Sequence, residues 1–137
     1  MRRALSAAAA ALTAPLLIVP ATAQPAVNGA DQFRASCATC HGADGRGDGP
    51  LAKLLTVKPA DLTQLARRND GRFPAERVTD VIDGRTEVRG HGTLTMPVWG
   101  VIYEMQVARD YGPYGSESVV KARIAALVRY LESIQQK

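Results

Sequence analysis

The chain has 137 residues, with 17 Lys and Arg against 13 Asp and Glu, a net charge of +4, and only 5% aromatic residues. That length suits one small domain around one core, and no internal repeat extends it. The basic excess is not gathered into a stripe with interleaved aromatics, which argues against a nucleic-acid partner.

Residues Met1 to Ala23 read as a secretory signal. Arg2 and Arg3 form the charged start, Ala4 to Val19 carries no charge, and Ala21-Thr22-Ala23 offers the small residues that a signal peptidase reads. Pro15 and Pro20 interrupt the apolar run, which is shorter than the roughly 18 to 20 residues of a spanning helix. An uncleaved anchor and twin-arginine export are the alternatives. Cleavage leaves 24–137 as the mature domain, less basic by two arginines, exported to the periplasm and without stable membrane insertion.

In the mature chain, Asn28 is placed to cap a helix that starts at Gly29-Ala30-Asp31. Ala30, Phe33 and Cys37 follow at helical spacing. Next comes Cys37-Ala38-Thr39-Cys40-His41, a C-x-x-C-H sequence of the kind that attaches a c-type haem. Two thiols about one helical turn apart match the two vinyl groups on one edge of the ring, and the adjoining imidazole reaches the iron. A thioredoxin-like pair would sit in a βαβ pattern, which is absent. A zinc site needs two more ligands at short spacing, but there is no third cysteine and the other histidine is the distant His91. A disulfide leaves His41 without a role. One such motif means one covalently held haem, and thioether bonds account for both cysteines in an oxidising compartment.

Gly42 to Pro50, with four glycines and a proline, is a tight loop whose small residues suit close packing on a flat ring. Leu51–Leu55 and Asp61–Arg68 are candidate short helices, the second capped by Asp61, and Asn69-Asp70-Gly71 is a turn. Pro74 suits a first helical position, with Val78, Val81 and Ile82 on one face and Gly84 as the stop. Thr86 to Gly100 is aperiodic and reads as a loop, and Met105 in the apolar run Val101–Val107 reads as core filling. Tyr111 to Gly115 is another break. After a cap at Ser116 or Ser118, Val120, Ile124, Leu127, Leu131 and Ile134 mark the strongest helix, with Tyr130 beside Leu127 and Leu131. With no period-two run, the mature domain is expected to be all-α.

These features, in this order, resemble a class I cytochrome c across the whole mature domain. The resemblance rests on Gly29 and Phe33, then Cys37–Gly42, Gly49-Pro50-Leu51, Met96-Pro97-Val98-Trp99-Gly100, and Leu127, Tyr130 and Leu131. It implies N- and C-terminal helices crossing closely, with a glycine permitting the approach and aromatics filling it. It also implies haem thioethers at Cys37 and Cys40 and axial iron ligation by His41. Met96 is the expected second axial ligand, since Pro97 stiffens its loop and Met/His ligation raises the potential; His91, between two glycines, is the runner-up. A proline carbonyl is expected to accept the His41 N–H, Pro50 first and Pro59 second. Trp99 is a candidate to pack on the haem edge or meet a propionate, with plain core packing the alternative.

The resemblance implies a periplasmic one-electron carrier, monomeric and not an enzyme. Its redox partners would be a donor dehydrogenase or quinol-oxidising complex and an acceptor oxidase or reductase. The alternative is a haem subunit permanently bound to a dehydrogenase or terminal oxidase, with Asp110–Glu117 as the segment to search for a docking surface. A peroxidase or reductase would need a displaceable sixth ligand and a distal acid–base group, for which only His91 stands by.

Overall fold

A computed structural model describes residues 27–84 and 97–136. The signal segment Met1–Ala23, His91 and Met96, and with them most of the expected Thr86–Gly100 loop, lie outside the described residues. The architecture is helical, with no strand among the described residues: α1 (Gly29–Ser36), α2 (Ala38–His41), α3 (Ala75–Asp83) and α4 (Trp99–Ser133), plus three short 3-10 turns between α2 and α3.

Helix α1 starts where Asn28 accepts hydrogen bonds from the Ala30 and Asp31 N–H groups, using donors that the first turn leaves unsatisfied. It buries Phe33 completely. Asp61 caps the turn Leu62–Gln64 by accepting from the Thr63 N–H at 2.9 Å. The chain reverses at Asp70 and Gly71, both in left-handed conformations. Helix α3 begins after Pro74, buries Val78 and Ile82, and ends at Gly84 in the left-handed region.

Helix α4 differs from the expected loop, break and helix. It begins already at Trp99, and only Gly112 departs from helical geometry, with φ 66° and ψ 177°. The expected break at Tyr111–Gly115 is therefore a kink at a single glycine, the residue type that tolerates such a turn. Ser116 is fully buried within the helix rather than capping its start. Val120, Ile124, Leu127 and Leu131 are buried as their spacing predicts, while Ile134 forms the helix end. Met105 is not core filling. It is 69% exposed, because Tyr103 and Val107 hold the inward face of this segment.

The core lies where α4 packs on α1 and α3. Gly29 of α1 comes so close to α4 that a methyl group there would collide with the Ala126 carbonyl and crowd Tyr130 Cβ. The Phe33 and Tyr130 rings meet beside this crossing at a centroid distance of 5.2 Å, tilted by 45°. The crossing of terminal helices is thus built from the residues expected to build it. At the other end of the core, Gly100 of α4 packs on Asp83 and Gly84 on Val98, which locks α3 against the start of α4.

Candidate haem site

The C-x-x-C-H segment is itself a helical turn. The His41 N–H donates to the Cys37 carbonyl at 2.9 Å, and the Cys40 N–H to the same oxygen at 3.2 Å. This places His41 on the turn above Cys37, and both side chains line one cleft. The two thiols are free and half-buried. Burial, with Cys40 close by, pushes the Cys37 thiol up to about 12.

The cleft encloses about 220 Å³ and is open at its mouth. Its walls are mainly apolar: Leu62 and Leu65 from the connecting segment, Val78, Val81 and Ile82 from α3, and Leu127 and Leu131 from α4. Several of these side chains also belong to the core, so the cleft is the interior of the domain opened on one side.

His41 is 4% exposed, and its Nδ1 lies 2.9 Å from the Ala60 carbonyl oxygen. The residue expected to supply this carbonyl was Pro50, with Pro59 second; the carbonyl that meets the ring is the one after Pro59. Pro50 instead lies at the groove on the far side of the glycine-rich loop, where Gly49 and Leu51 donate to the Cys40 and Thr39 carbonyls. Burial holds the imidazole below its ordinary pKa, against the opposite pull of the Ala60 hydrogen bond. A neutral ring that meets a carbonyl through Nδ1 carries its proton there, which makes Nε2 the unprotonated nitrogen. That is the tautomer a metal ligand requires.

The glycine-rich loop packs on backbone. A methyl group at Gly49 would clash with the carbonyls of Ala38 and Thr39, and one at Gly47 with the Pro59 carbonyl. The glycines thus draw the Ala60 segment and the C-x-x-C-H turn to within hydrogen-bonding distance of each other. The expected role of these small residues, contact with a flat ring, is not needed to explain them.

Trp99 lines the cleft at the first position of α4, tilted against Tyr103 with ring centroids 5.6 Å apart. Its Nε1 is buried and has no hydrogen-bond partner among the described residues. A buried indole N–H normally has one, so this donor is suited to an acceptor from outside the chain. Arg77 of α3 also lines the cleft. Sequence reasoning missed Arg77, since nothing distinguishes it from an ordinary solvated residue on an amphipathic helix. Tyr103 is fully buried beside them, and burial holds its phenol above the ordinary pKa, opposed by Ser36 and Gln32.

This donor set fits a haem. Two thiols and a neutral imidazole stand on one turn, apolar walls suit the ring, and the Trp99 N–H with the basic Arg77 at the cleft suits its carboxylates. Among the described residues no three His, Cys, Asp or Glu side chains gather to hold a bare metal ion.

A small helical domain with these groups at one apolar cleft is a haem domain. The sequence model of the cytochrome c family, described as "Cytochrome c", matches residues 26–135. The chain belongs to the cytochrome c family, a family of haem-based electron carriers that are generally not enzymes. The search of curated proteins and the search of solved structures gave no match.

Proposed function

We propose that this protein is a periplasmic one-electron carrier that works through a single c-type haem, with thioethers at Cys37 and Cys40 and axial ligation by His41 and Met96. The observation that carries the reading is the His41 geometry: a buried, neutral imidazole fixed through Nδ1 by the Ala60 carbonyl, over the same cleft as the Cys37 thiol. The haem supplies a one-electron couple. The chain holds His41 in one tautomer and orientation, excludes water with apolar walls, and offers Trp99 Nε1 and Arg77 to carboxylates.

Met96 immediately precedes Pro97, and α4 begins at Trp99. A methionine three residues ahead of a cleft-lining tryptophan is well placed in sequence to supply the second ligand. Met/His ligation gives a six-coordinate iron that changes charge with little rearrangement and keeps the potential high. No general acid or base is required. Export rests on the Met1–Ala23 pattern alone, and no helix of the described residues is long and apolar enough to cross a membrane.

The deciding experiment is a redox titration of the haem-loaded protein followed by visible and near-infrared absorption. A reversible one-electron transition is expected, with the weak sulfur-to-iron charge-transfer band in the oxidised form and its loss in Met96→Ala. A native protein without that band is not methionine-ligated. Fast native peroxide turnover that depends on Met96 would replace the carrier with an enzyme; turnover is expected only in Met96→Ala.

A second reading, a subunit permanently bound to a larger oxidoreductase, is favoured by one feature. Val101 and Met105, about one helical turn apart, leave an exposed apolar pair on the first half of α4. Sedimentation of the loaded protein at low concentration separates the two: a free monomer is expected of the carrier.

A further inference from the structure

Helix α4 ends at Ser133, and Gln135 folds its side chain back over the last turn. The Gln135 carboxamide donates through Nε2 to the Leu131 carbonyl at 2.7 Å, one of the oxygens that a helix end leaves unsatisfied. The same nitrogen donates to the Leu62 carbonyl at 2.8 Å, and Oε1 accepts from the Ala66 N–H at 2.8 Å. Both amide hydrogens and the amide oxygen are thus engaged. A further bond, from the Gln136 N–H to the Thr63 carbonyl at 2.9 Å, runs beside them.

The segment caught in this way belongs to the candidate haem site. Residues 60–66 carry the Ala60 carbonyl, which lies 2.9 Å from His41 Nδ1, and the Leu62 and Leu65 side chains, which line the cleft. Leu62 is pinned from both sides of its own residue. Its N–H donates to the Gly45 carbonyl at 2.7 Å, and its carbonyl accepts from Gln135. The Ala60 carbonyl therefore lies two residues from a fixed point, and the glycine-rich loop and the chain's C-terminal end fix that point together. The other anchor of Gln135, Leu131, also lines the cleft. One side chain ties two parts of the wall to each other.

A helix end alone does not call for this arrangement. The Leu131 carbonyl could be satisfied by water or by a nearby lysine or arginine. What only a carboxamide supplies is two donors and an acceptor on one planar group, matched here to a carbonyl and an N–H four residues apart on the connecting segment.

We propose that Gln135 is a positioning residue for the axial histidine: it holds residues 60–66 in place, so that the Ala60 carbonyl keeps the His41 ring oriented and electron-rich. The proposal rests on His41 ligating the iron, as in the carrier reading. A partner that accepts the imidazole N–H raises the basicity of the ligand, and a more basic ligand favours ferric iron. Without the tie the carbonyl drifts from the ring, and the balance moves toward the ferrous form.

The test uses the haem-loaded protein as wild type, Gln135→Met, Gln135→Glu and Asn28→Ala. Gln135→Met keeps the length of the side chain and removes its hydrogen bonds. Gln135→Glu keeps an acceptor for the Ala66 N–H but gives up both donors at neutral pH. Asn28→Ala removes the cap of α1 and measures destabilisation alone. Proton NMR of the reduced protein reads solvent exchange of the His41 Nδ1–H, and a redox titration reads the midpoint. In Gln135→Met the Nδ1–H should exchange about tenfold faster, and the ratio of oxidised to reduced protein at a fixed potential should fall about threefold. Gln135→Glu should move both readings the same way. Asn28→Ala should melt at a lower temperature with its midpoint unmoved.

An unchanged or opposite midpoint in the Gln135 variants overturns the proposal, as does an equal shift in Asn28→Ala, which would make destabilisation the cause. If Gln135→Met does not accumulate with haem, Gln135→Glu and wild type decide. The Ala66 N–H of loaded wild type should be protected from amide exchange, and free exchange there overturns the proposal. The premise is separable. A wild type with no reversible one-electron wave removes the carrier reading and the role of Gln135 together, whereas a normal wave with unmoved variants removes the role of Gln135 alone.

Discussion

Gly29 has no side chain, and its value lies in what it lets through. The Ala126 carbonyl occupies the space a methyl group would need, and a backbone atom inside a helix cannot turn aside. Gly29→Ala therefore gains helix propensity but forces the terminal helices apart. Overpacking of this kind costs about 1–3 kcal/mol, which exceeds the roughly 1 kcal/mol of propensity gained. A urea melt of the variant should show a lower midpoint with an unchanged slope; an equal or higher midpoint would mean that the crossing has room to spare. Trp99 poses the opposite case, a donor with nothing among the described residues to donate to. Trp99→Phe keeps a ring against Tyr103 and removes only the N–H. A haem carboxylate deprived of that bond ionises at higher pH. The midpoint potential of the variant should then vary with pH in a range where wild type is flat, and superimposable curves would rule out the contact. His41 shows where sequence stops at this scale. Its identity as a ligand is legible from C-x-x-C-H, but its partner is a main-chain oxygen, and Ala60 carries no side-chain mark of the role.

The elements that sequence predicts well are those whose ends are chemically marked. The Asn28 cap opens α1, Gly84 closes α3, and the spacing from Val120 to Leu131 identifies the second half of α4. The first half of α4 was unreadable for a physical reason. Gly100 and Gly112 look like breaks, yet Gly100 is a point of close approach to Asp83 and only Gly112 leaves helical geometry. Pro113 directly follows that kink, where a missing N–H removes little. A marked start also carries a pH dependence. The Thr63 hydroxyl, donating at 2.6 Å to Asp61, is the main reason the Asp61 carboxyl sits below its ordinary pKa. A depressed folded-state pKa gives stability that is full above the unfolded-state value and is lost as pH falls through the folded value. Asp61→Ala should cost about 1 kcal/mol at neutral pH, as lost caps do. Asp61→Asn should flatten the acid side of the stability profile, measured by thermal melts from neutral to acid pH. An unchanged acid side would mean that other carboxylates dominate it.

At the level of the whole molecule, site and core are the same residues. Val78, Ile82, Leu127 and Leu131 line the cleft and belong to the buried cluster. Deleting the occupant of such a space resembles a large core deletion, costing roughly 3–5 kcal/mol, and a tightly held group stabilises the state that binds it. The haem-free chain should therefore melt at least about 10 °C below the loaded protein. Calorimetry of the two forms decides; equal melting temperatures would mean that the cleft closes on itself when empty. The fold class was readable at this scale because helical period and the absence of alternation apply to the entire mature domain. The cleft's donors were only partly readable, since Arg77 reaches it through the packing of α3 on α4 rather than through any motif.

The contact between Gly29 and Ala126 has a temporal side. Translation delivers residue 29 long before residue 126, so the first helix spends its early life with no surface to cross. During that interval Phe33 has no Tyr130 to meet, and the cleft lacks its Leu127 and Leu131 wall. The Cys37–His41 turn is then open from every side, whereas in the finished domain Cys37 and His41 face the cleft and only Thr39 of the turn stays exposed. Under the proposed export and thioether attachment, haem meets the thiols in a chain that has not yet folded, and the last helix closes the domain over it.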